Sequence, residues 1–214
     1  MRQSVHELKR YAWVLGSSAL CLAGSSLTSF AEDVDLSANV RAGGIDSHQR
    51  EEPGSRIHRG RAIALVAAPL DRVTAVVSDY ANYRQFMPHF VTSRVLSKRG
   101  SQALLYAEVS ALGGMATIWV EMQLRMLEPT ALLTRVIKAK MLKGNLKGFK
   151  AEWQVTPFDA TRTLVAFELC ADPNFHLPFA NGLVSDYNEK EARSSIIALR
   201  GQLSRHTQRN AQQK

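Results

Sequence analysis

The sequence predicts an α+β fold in which a curved antiparallel sheet of about six strands wraps around a long C-terminal helix. Strand-like patterns follow one another without an intervening helix between residues 91 and 170. Strands joined by short turns pair antiparallel and curl, so their apolar face needs a cover. The stretch from Asn181 to about Ser204 contains no proline and is long enough to form one covering helix.

The first strand and one or two short helices are predicted between Arg61 and Pro88. The apolar run Arg61–Ala68 is typical of a strand. Pro69 then occupies a position where helices accept proline, and apolar residues recur behind it at three-to-four spacing. A second short turn at Tyr83–Met87 ends at Pro88.

The remaining strands are predicted from alternation and turn signals. Val91–Arg99 and Gln102–Ser110 flank a hairpin turn at Gly100. Ala116–Leu127 alternates, which predicts one buried face and one wetter face. Further strands are expected at residues 132–140, 148–157 and 161–170.

Residues 1–31 have the pattern of a secretory signal peptide. Arg2, Lys9 and Arg10 precede the apolar segment Tyr11–Ala23, and Ser29-Phe30-Ala31 offers small residues for cleavage. The alternative is an uncleaved anchor, although the apolar segment is short for a membrane span. The pattern predicts an exported, periplasmic protein. After cleavage Cys170 is the one remaining cysteine, expected to be buried as a small hydrophobe.

The domain itself is expected to span residues 57–207. Residues 32–56 contain many charged residues and almost no large apolar ones, which predicts a flexible linker. Residues 208–214 are polar, and we expect a disordered tail. The formal net charge is +8, and loss of the three basic and one acidic residues in 1–31 leaves +6. In an exported protein this charge favours an anionic membrane surface over nucleic acid.

The order of strand, proline-started helix, aromatic turn, strands and terminal helix resembles the START-like (SRPBCC) superfamily, which has the helix-grip fold. Within it the polyketide cyclase and coenzyme-Q-binding group is the best match. The residues that carry the resemblance are Ala67-Ala68-Pro69, Asp79-Tyr80 through Pro88, and Leu177-Pro178 through Leu203. The resemblance implies a cavity for a hydrophobic molecule such as a lipid or isoprenoid quinone, bound or carried without covalent chemistry.

Candidate ligand contacts are residues that the predicted fold brings to the cavity. An apolar cavity needs large apolar walls, adaptable methionines and a few polar tips. For each of these residues, ordinary core packing is the alternative. The candidates are Phe86, Met87, Phe90, Tyr106, Met122, Trp153, Phe167 and Tyr187.

A lysine-rich stretch in the middle of the chain is a candidate membrane surface. Residues 138–150 contain five lysines and no acidic residue, interleaved with apolar side chains. Such a stretch suits either anionic lipid headgroups or a solvated edge that discourages sheet-to-sheet pairing. The lysines are Lys138, Lys140, Lys143, Lys147 and Lys150.

An enzyme is the first alternative function, and a protein-interaction module with a filled cavity is the second. A cyclase or dehydratase acting on an aromatic or polyketide-like substrate would need polar groups converging in the cavity. The candidate acid–base residues are Glu108, Glu121, Glu152 and Glu168, provided that two of them face inward. The sequence has no HExxH pair, phosphate loop or GxGxxG fingerprint, so we expect neither a metal nor a cofactor.

Overall fold

The computed structural model describes residues 36–114, 116–173 and 180–212. The signal peptide predicted at residues 1–31 lies outside the described residues. The architecture is α+β, as predicted. The helices are α1 (Ala38–Arg41), α2 (Leu70–Val77) and α3 (Ala180–Gln212), with short 3-10 helices at Tyr80–Gln85 and Leu112–Gly114. The strands are β1 (Ile45–Arg50), β2 (Arg59–Val66), β3 (Phe90–Arg99), β4 (Gln102–Ala111), β5 (Ala116–Met126), β6 (Arg135–Gly144), β7 (Leu146–Pro157) and β8 (Thr163–Pro173).

The strands form one curved, unclosed sheet in the order β1-β2-β8-β7-β6-β5-β4-β3, with every neighbouring pair antiparallel. The described sheet has eight strands, where the sequence predicts about six. Strands β3 to β8 follow one another as hairpins, whereas β2 pairs with β8 and so joins the start of the domain to its end.

The prediction of a flexible linker at residues 32–56 is wrong for most of the part that the structure describes. Helix α1 and strand β1 lie within it, and β1 pairs along its whole length with β2. An edge strand needs main-chain hydrogen bonds more than apolar side chains, so low hydrophobicity does not prevent pairing. Three spaced apolar residues attach the segment to the core: Leu36, Val40 and Ile45 are all buried.

The C-terminal helix is longer than predicted. It runs from Ala180 to Gln212, so residues 208–212 of the predicted disordered tail are helical. Two of its large apolar residues, Leu183 and Ile197, are exposed. The buried side chains of α3 are small or polar in its first half and mostly aliphatic further along. They are Ser185, Asn188, Ala192, Ser195, Ile196, Leu199 and Leu203.

Small residues on β2 determine where α3 lies. Gly60, Ala62 and Ala64 face the helix, and a Cβ on Gly60 would stand 2.2 Å from the backbone carbonyl carbon of Asn188. Asn188 is fully buried, donates from Nδ2 to the His58 carbonyl (3.0 Å), and accepts from the Ala171 amide (3.2 Å). The helix is therefore held close to β2 and β8, at one side of the curved sheet.

Candidate ligand-binding cavity

A cavity of about 110 Å³ lies between the sheet and α3. Its walls come from every second residue of β5, from inward residues of β4 and β6 to β8, and from the segment after α2. We call the sheet face that lines it the inner face and the opposite face the outer face. The described lining residues are Tyr83, Met87, Pro88, Phe90, Val109, Ile118, Val120, Met122, Leu124, Ile137, Ala139, Leu146, Phe149, Ala151, Trp153, Phe167, Leu169, Ala171, Tyr187, Glu191 and Ser195.

Aromatic rings form two parts of the cavity wall. The Trp153 and Phe167 rings lie across β7 and β8 with centroids 4.1 Å apart. Tyr83 packs edge-on against Phe90 with centroids 5.7 Å apart, and its hydroxyl donates to the Val77 carbonyl at 2.5 Å. Burial raises the pKa of Tyr83, so this phenol stays neutral. These rings give the wall a large and rigid apolar surface.

One polar group in the cavity has spare hydrogen-bonding capacity. Tyr187, Glu191 and Ser195 are spaced by four residues along α3 and line the cavity together. The Glu191 Oε1 lies 3.5 Å from the Nε2 of His89, which the turn before β3 holds at a φ of 61°. Burial raises the pKa of Glu191, although His89, Lys190 and Tyr187 act in the opposite direction. A carboxyl group therefore faces an otherwise mostly apolar space.

Six of the eight predicted ligand contacts line the cavity: Met87, Phe90, Met122, Trp153, Phe167 and Tyr187. Phe86 does not line it, because its buried ring packs edge-on against Tyr83 at 5.6 Å and belongs to the core. Tyr106 lies on the outer face, where its hydroxyl donates to Glu108 at 2.7 Å and Arg94 covers its ring. Side chains alternate along β4, so the residues on either side of Tyr106, Leu105 and Ala107, are the ones that face inward.

None of the four strand glutamates considered for acid–base chemistry lines the cavity within the described part of the chain, so the inward-facing pair that an enzyme would need is not found among them. Each occupies an outer position of its strand, next to inward-facing neighbours. Glu121 and Glu152 pair with the exposed lysines Lys143 and Lys138. Glu108 accepts from Thr92 and Tyr106, which lowers its pKa.

Glu168 is the most buried of these glutamates and binds three arginines. Arg50 and Arg59 approach its carboxylate at 3.3 and 3.1 Å, and Arg61 donates to it as well. Burial opposes its ionisation, yet hydrogen bonds and charge from Arg61, Arg59 and Arg50 outweigh it and lower the pKa of Glu168. Its role is to hold β2 and β8 together on the outer face.

The sequence prediction misses Glu191 as a cavity residue and His89 as its neighbour. The available signal is the spacing of Tyr187, Glu191 and Ser195, which places three polar residues on one helix face. On its own that spacing is equally typical of a solvated helix face. Only the position of α3 against the sheet shows that the three face inward.

The five lysines of residues 138–150 are exposed, and four of them have acidic partners. Lys138, Lys143, Lys147 and Lys150 pair with Glu152, Glu121, Asp172 and Glu52 at 3.3, 3.8, 3.6 and 2.8 Å. Lys140 lies opposite Lys150 in the β6–β7 pairing. Nearby, Leu142 at a bulge in β6 and Trp119 on β5 are 55% and 37% exposed. Lys143, Lys147, Trp119 and Leu142 thus share one end of the sheet, around the β6–β7 turn.

Two further features bear on function. Cys170 is buried on the outer side of β8, and burial raises its pKa to about 11, so it is not a ready nucleophile. Across residues 36–114, 116–173 and 180–212, none of the helices has the length and apolar character needed to span a membrane.

Solved structures with the same fold include lipid-transfer proteins and a cyclase. A STAR-related lipid transfer protein from Xanthomonas axonopodis aligns at 21% identity with a TM-score of 0.66, over 75% of this chain and 94% of that one. Human StAR-related lipid transfer protein 5 aligns at 12% identity with a TM-score of 0.66, over 77% and 84%. The ZhuI aromatase/cyclase from a Streptomyces species aligns at 19% identity with a TM-score of 0.52, over 75% and 96%.

Sequence comparison gives a family match. A search of curated proteins found no match. The model of the family described as polyketide cyclase / dehydrase and lipid transport matches residues 66–196, from the end of β2 to the middle of α3 and more than half of the chain. The match spans all the strands that line the cavity and the helix that carries Glu191. The chain therefore belongs to this family, within the START-like superfamily of helix-grip proteins.

Proposed function

We propose that the protein binds a hydrophobic small molecule in the cavity between the sheet and α3 and carries it without covalent chemistry. The observation that carries this proposal is a cavity whose described walls are almost entirely aliphatic and aromatic side chains, with Glu191 as the one carboxyl group among the described lining residues. An apolar ligand in such a cavity would gain packing contacts with its walls, which favours a binding role.

The size of the cavity bears on the kind of ligand. An apolar cavity of about 150 Å³ holds one benzene molecule, so about 110 Å³ has room for roughly one small ring or one isoprene-sized unit. Burying about 150 Å² of apolar ligand surface would contribute about 4 kcal/mol before association costs. We favour a ring-headed molecule, such as an isoprenoid quinone, over a two-chain lipid, which requires the cavity to widen.

We further propose that the protein acts outside the cytoplasm and meets its ligand at an anionic membrane surface. Export is supported by the basic and apolar pattern of residues 1–31. Membrane contact is supported by the five lysines of residues 138–150 together with Trp119 and Leu142 around the β6–β7 turn. Each lysine near anionic headgroups contributes about 1 kcal/mol, and tryptophan favours the interface.

A cyclase or dehydratase acting on an aromatic or polyketide-like substrate is the second candidate. It is favoured by Glu191, a buried carboxyl group with a raised pKa that lies beside His89 in the cavity. A raised pKa favours a carboxyl group as a proton donor in general acid–base chemistry. The solved aromatase/cyclase with the same fold is consistent with this alternative.

Mass spectrometry of organic extracts tests the carrier proposal. The protein is purified from its native host, extracted, and compared with Ala151→Phe, a variant designed to fill the cavity. We expect one hydrophobic compound at near-stoichiometric amount in the natural protein and its loss in the variant. Repeated recovery of an empty natural protein would contradict the carrier role. Recovery of two related compounds that interconvert on incubation would favour the enzyme.

A further inference from the structure

Among the described residues that line the cavity, Glu191 is the group with hydrogen-bonding capacity left open. The other hydroxyls are committed locally, because Tyr83 donates to the Val77 carbonyl and Ser195 donates to the Glu191 carbonyl. The Glu191 side chain is 13% exposed, and His89 Nε2 at 3.5 Å is beyond a good hydrogen bond. A carboxyl group has about four lone-pair positions, so capacity remains even with the Tyr187 hydroxyl nearby on the same helix face.

We propose that the Glu191 carboxyl binds a hydroxyl group of the hydrophobic ligand. This inference rests on the proposed function and specifies the polar chemistry of the same site. A wholly apolar ligand would cover the carboxyl and leave a buried polar group without a partner, which opposes binding. A ligand with one polar group at the end of an apolar body can pack against the apolar walls and hydrogen-bond the carboxyl at the same time.

The choice of a hydroxyl follows from the chemistry of the carboxyl. A hydroxyl donates to an ionised carboxylate and accepts from a protonated carboxyl, so it fits both forms of Glu191. A carbonyl oxygen fits only the protonated form, so among quinone-like ligands the carboxyl favours the reduced quinol, which carries ring hydroxyls. An ammonium group fits only the ionised form and would bring a second cation close to His89 and Lys190.

The fold holds this polar group in a fixed position. Glu191 lies on α3 between the pinned Asn188 and the buried Ala192, so the helix cannot rotate it away from the cavity. His89 is fixed by its left-handed backbone and by its carbonyl, which accepts from the Ser110 amide at 2.8 Å. The ligand hydroxyl would therefore meet a preorganised partner, which favours selectivity over general hydrophobic binding.

Toluene and phenol provide a matched pair of probes, because toluene carries a methyl group where phenol carries a hydroxyl of similar size. Binding of each to the full-length protein is measured by titration calorimetry at pH 7. We expect phenol to bind about 5- to 10-fold more tightly than toluene. In Glu191→Leu the preference should disappear or reverse. Glu189→Gln is the control. Glu189 is on the same helix but does not line the cavity, and its carboxylate accepts a hydrogen bond from Ser47 of β1.

Glu191→Gln serves as a second variant if the leucine variant does not fold, and it should keep part of the phenol preference. Equal binding of both probes by the natural protein would overturn the role of Glu191 while leaving the proposed function standing. Binding of neither probe would overturn both. Tighter binding of benzylamine than of phenol would also overturn the inference, because it would assign the site to an ammonium group.

Discussion

Gly60 and Asn188 meet backbone to backbone, so close that a Cβ at residue 60 would stand 2.2 Å from the Asn188 carbonyl oxygen. This contact places α3 over β2 rather than over the middle of the sheet. The inner faces of β5, β6 and β7 are then left to line a cavity. The lack of a Cβ at Gly60 thus helps to keep the binding space open.

Replacing Gly60 with alanine should destabilise the fold. The added methyl group would meet backbone atoms of α3, which cannot move without breaking the Asn188 hydrogen bonds to His58, just before β2, and to Ala171 of β8. We expect a loss of about 3 kcal/mol in the free energy of unfolding. Urea denaturation measures it. Gly148→Ala is the control, because nothing lies within 4 Å of a Cβ there, and an equal loss in both variants would contradict the packing account.

Replacing Glu168 with glutamine should leave three arginines clustered without their shared carboxylate. We expect a loss of about 2 kcal/mol in the free energy of unfolding at pH 7, since unpairing buried charges is costly. Glu121→Gln is the matched control and should change stability by less than about 0.5 kcal/mol, because its partner Lys143 is exposed and 3.8 Å away. Equal effects would argue against a structural role for Glu168.

The same carboxylate gives a pH dependence with a defined sign. The pKa of Glu168 is lowered by folding, so its stabilisation is present above the unfolded value near 4.5 and is lost as the pH falls through the folded value. Stability measured from pH 7 down to pH 3 should therefore fall less steeply in Glu168→Gln than in the natural protein. Parallel curves would contradict this assignment.

Glu191 should show the opposite sign. Its pKa is raised by folding, so its contribution is fully present below the unfolded value near 4.5 and is lost as the pH rises through the folded value. His89, Lys190 and Tyr187 act against this rise without reversing it. Between pH 4 and pH 7, Glu191→Gln should gain stability relative to the natural protein. A pH-independent difference measured by denaturation would contradict the burial of this carboxyl.

Much of the fold can be predicted from the sequence because its patterns are local. Every second residue of Ala116–Met126 is inward, so simple alternation predicts both the strand and its buried face. Strand β1 escapes prediction since only Ile45 among its residues is apolar and buried, and its pairing is supplied by the main chain. Helix α3 is predicted, but its buried face is not. That face is set by packing against the small residues of β2, which the helix sequence alone does not show.

The site is predicted in part for the same reason. Large apolar residues such as Met122, Trp153 and Phe167 lie on inward positions of strands, where the cavity is. Tyr106 occupies an outward position of β4, which hydrophobicity alone does not distinguish. Glu191 is a charged residue on a largely polar helix, and only the tertiary position of α3 makes it a cavity residue.

Removing lysines near the β6–β7 turn should weaken binding to anionic vesicles. We expect Lys140→Gln combined with Lys147→Gln to bind vesicles containing phosphatidylserine about 10- to 30-fold more weakly, at about 1 kcal/mol per lysine. Co-sedimentation at low salt measures it, and added salt should reduce the difference. The control is Lys98→Gln with Arg99→Gln at the β3–β4 turn, the opposite end of the sheet. Unchanged binding in the first variant would contradict a membrane role for these lysines.

The central claim is that the space between the sheet and α3 is a binding site, and toluene binding to a filled cavity tests it most directly. Ala151 lies on the inner face of β7, so Ala151→Phe should fill the cavity and reduce toluene affinity by at least about 10-fold. Gln123→Phe places the same ring on the outer face of β5 and should leave toluene binding unchanged. Calorimetry showing equal toluene affinity in the natural protein and Ala151→Phe, with both folded, would contradict the claim.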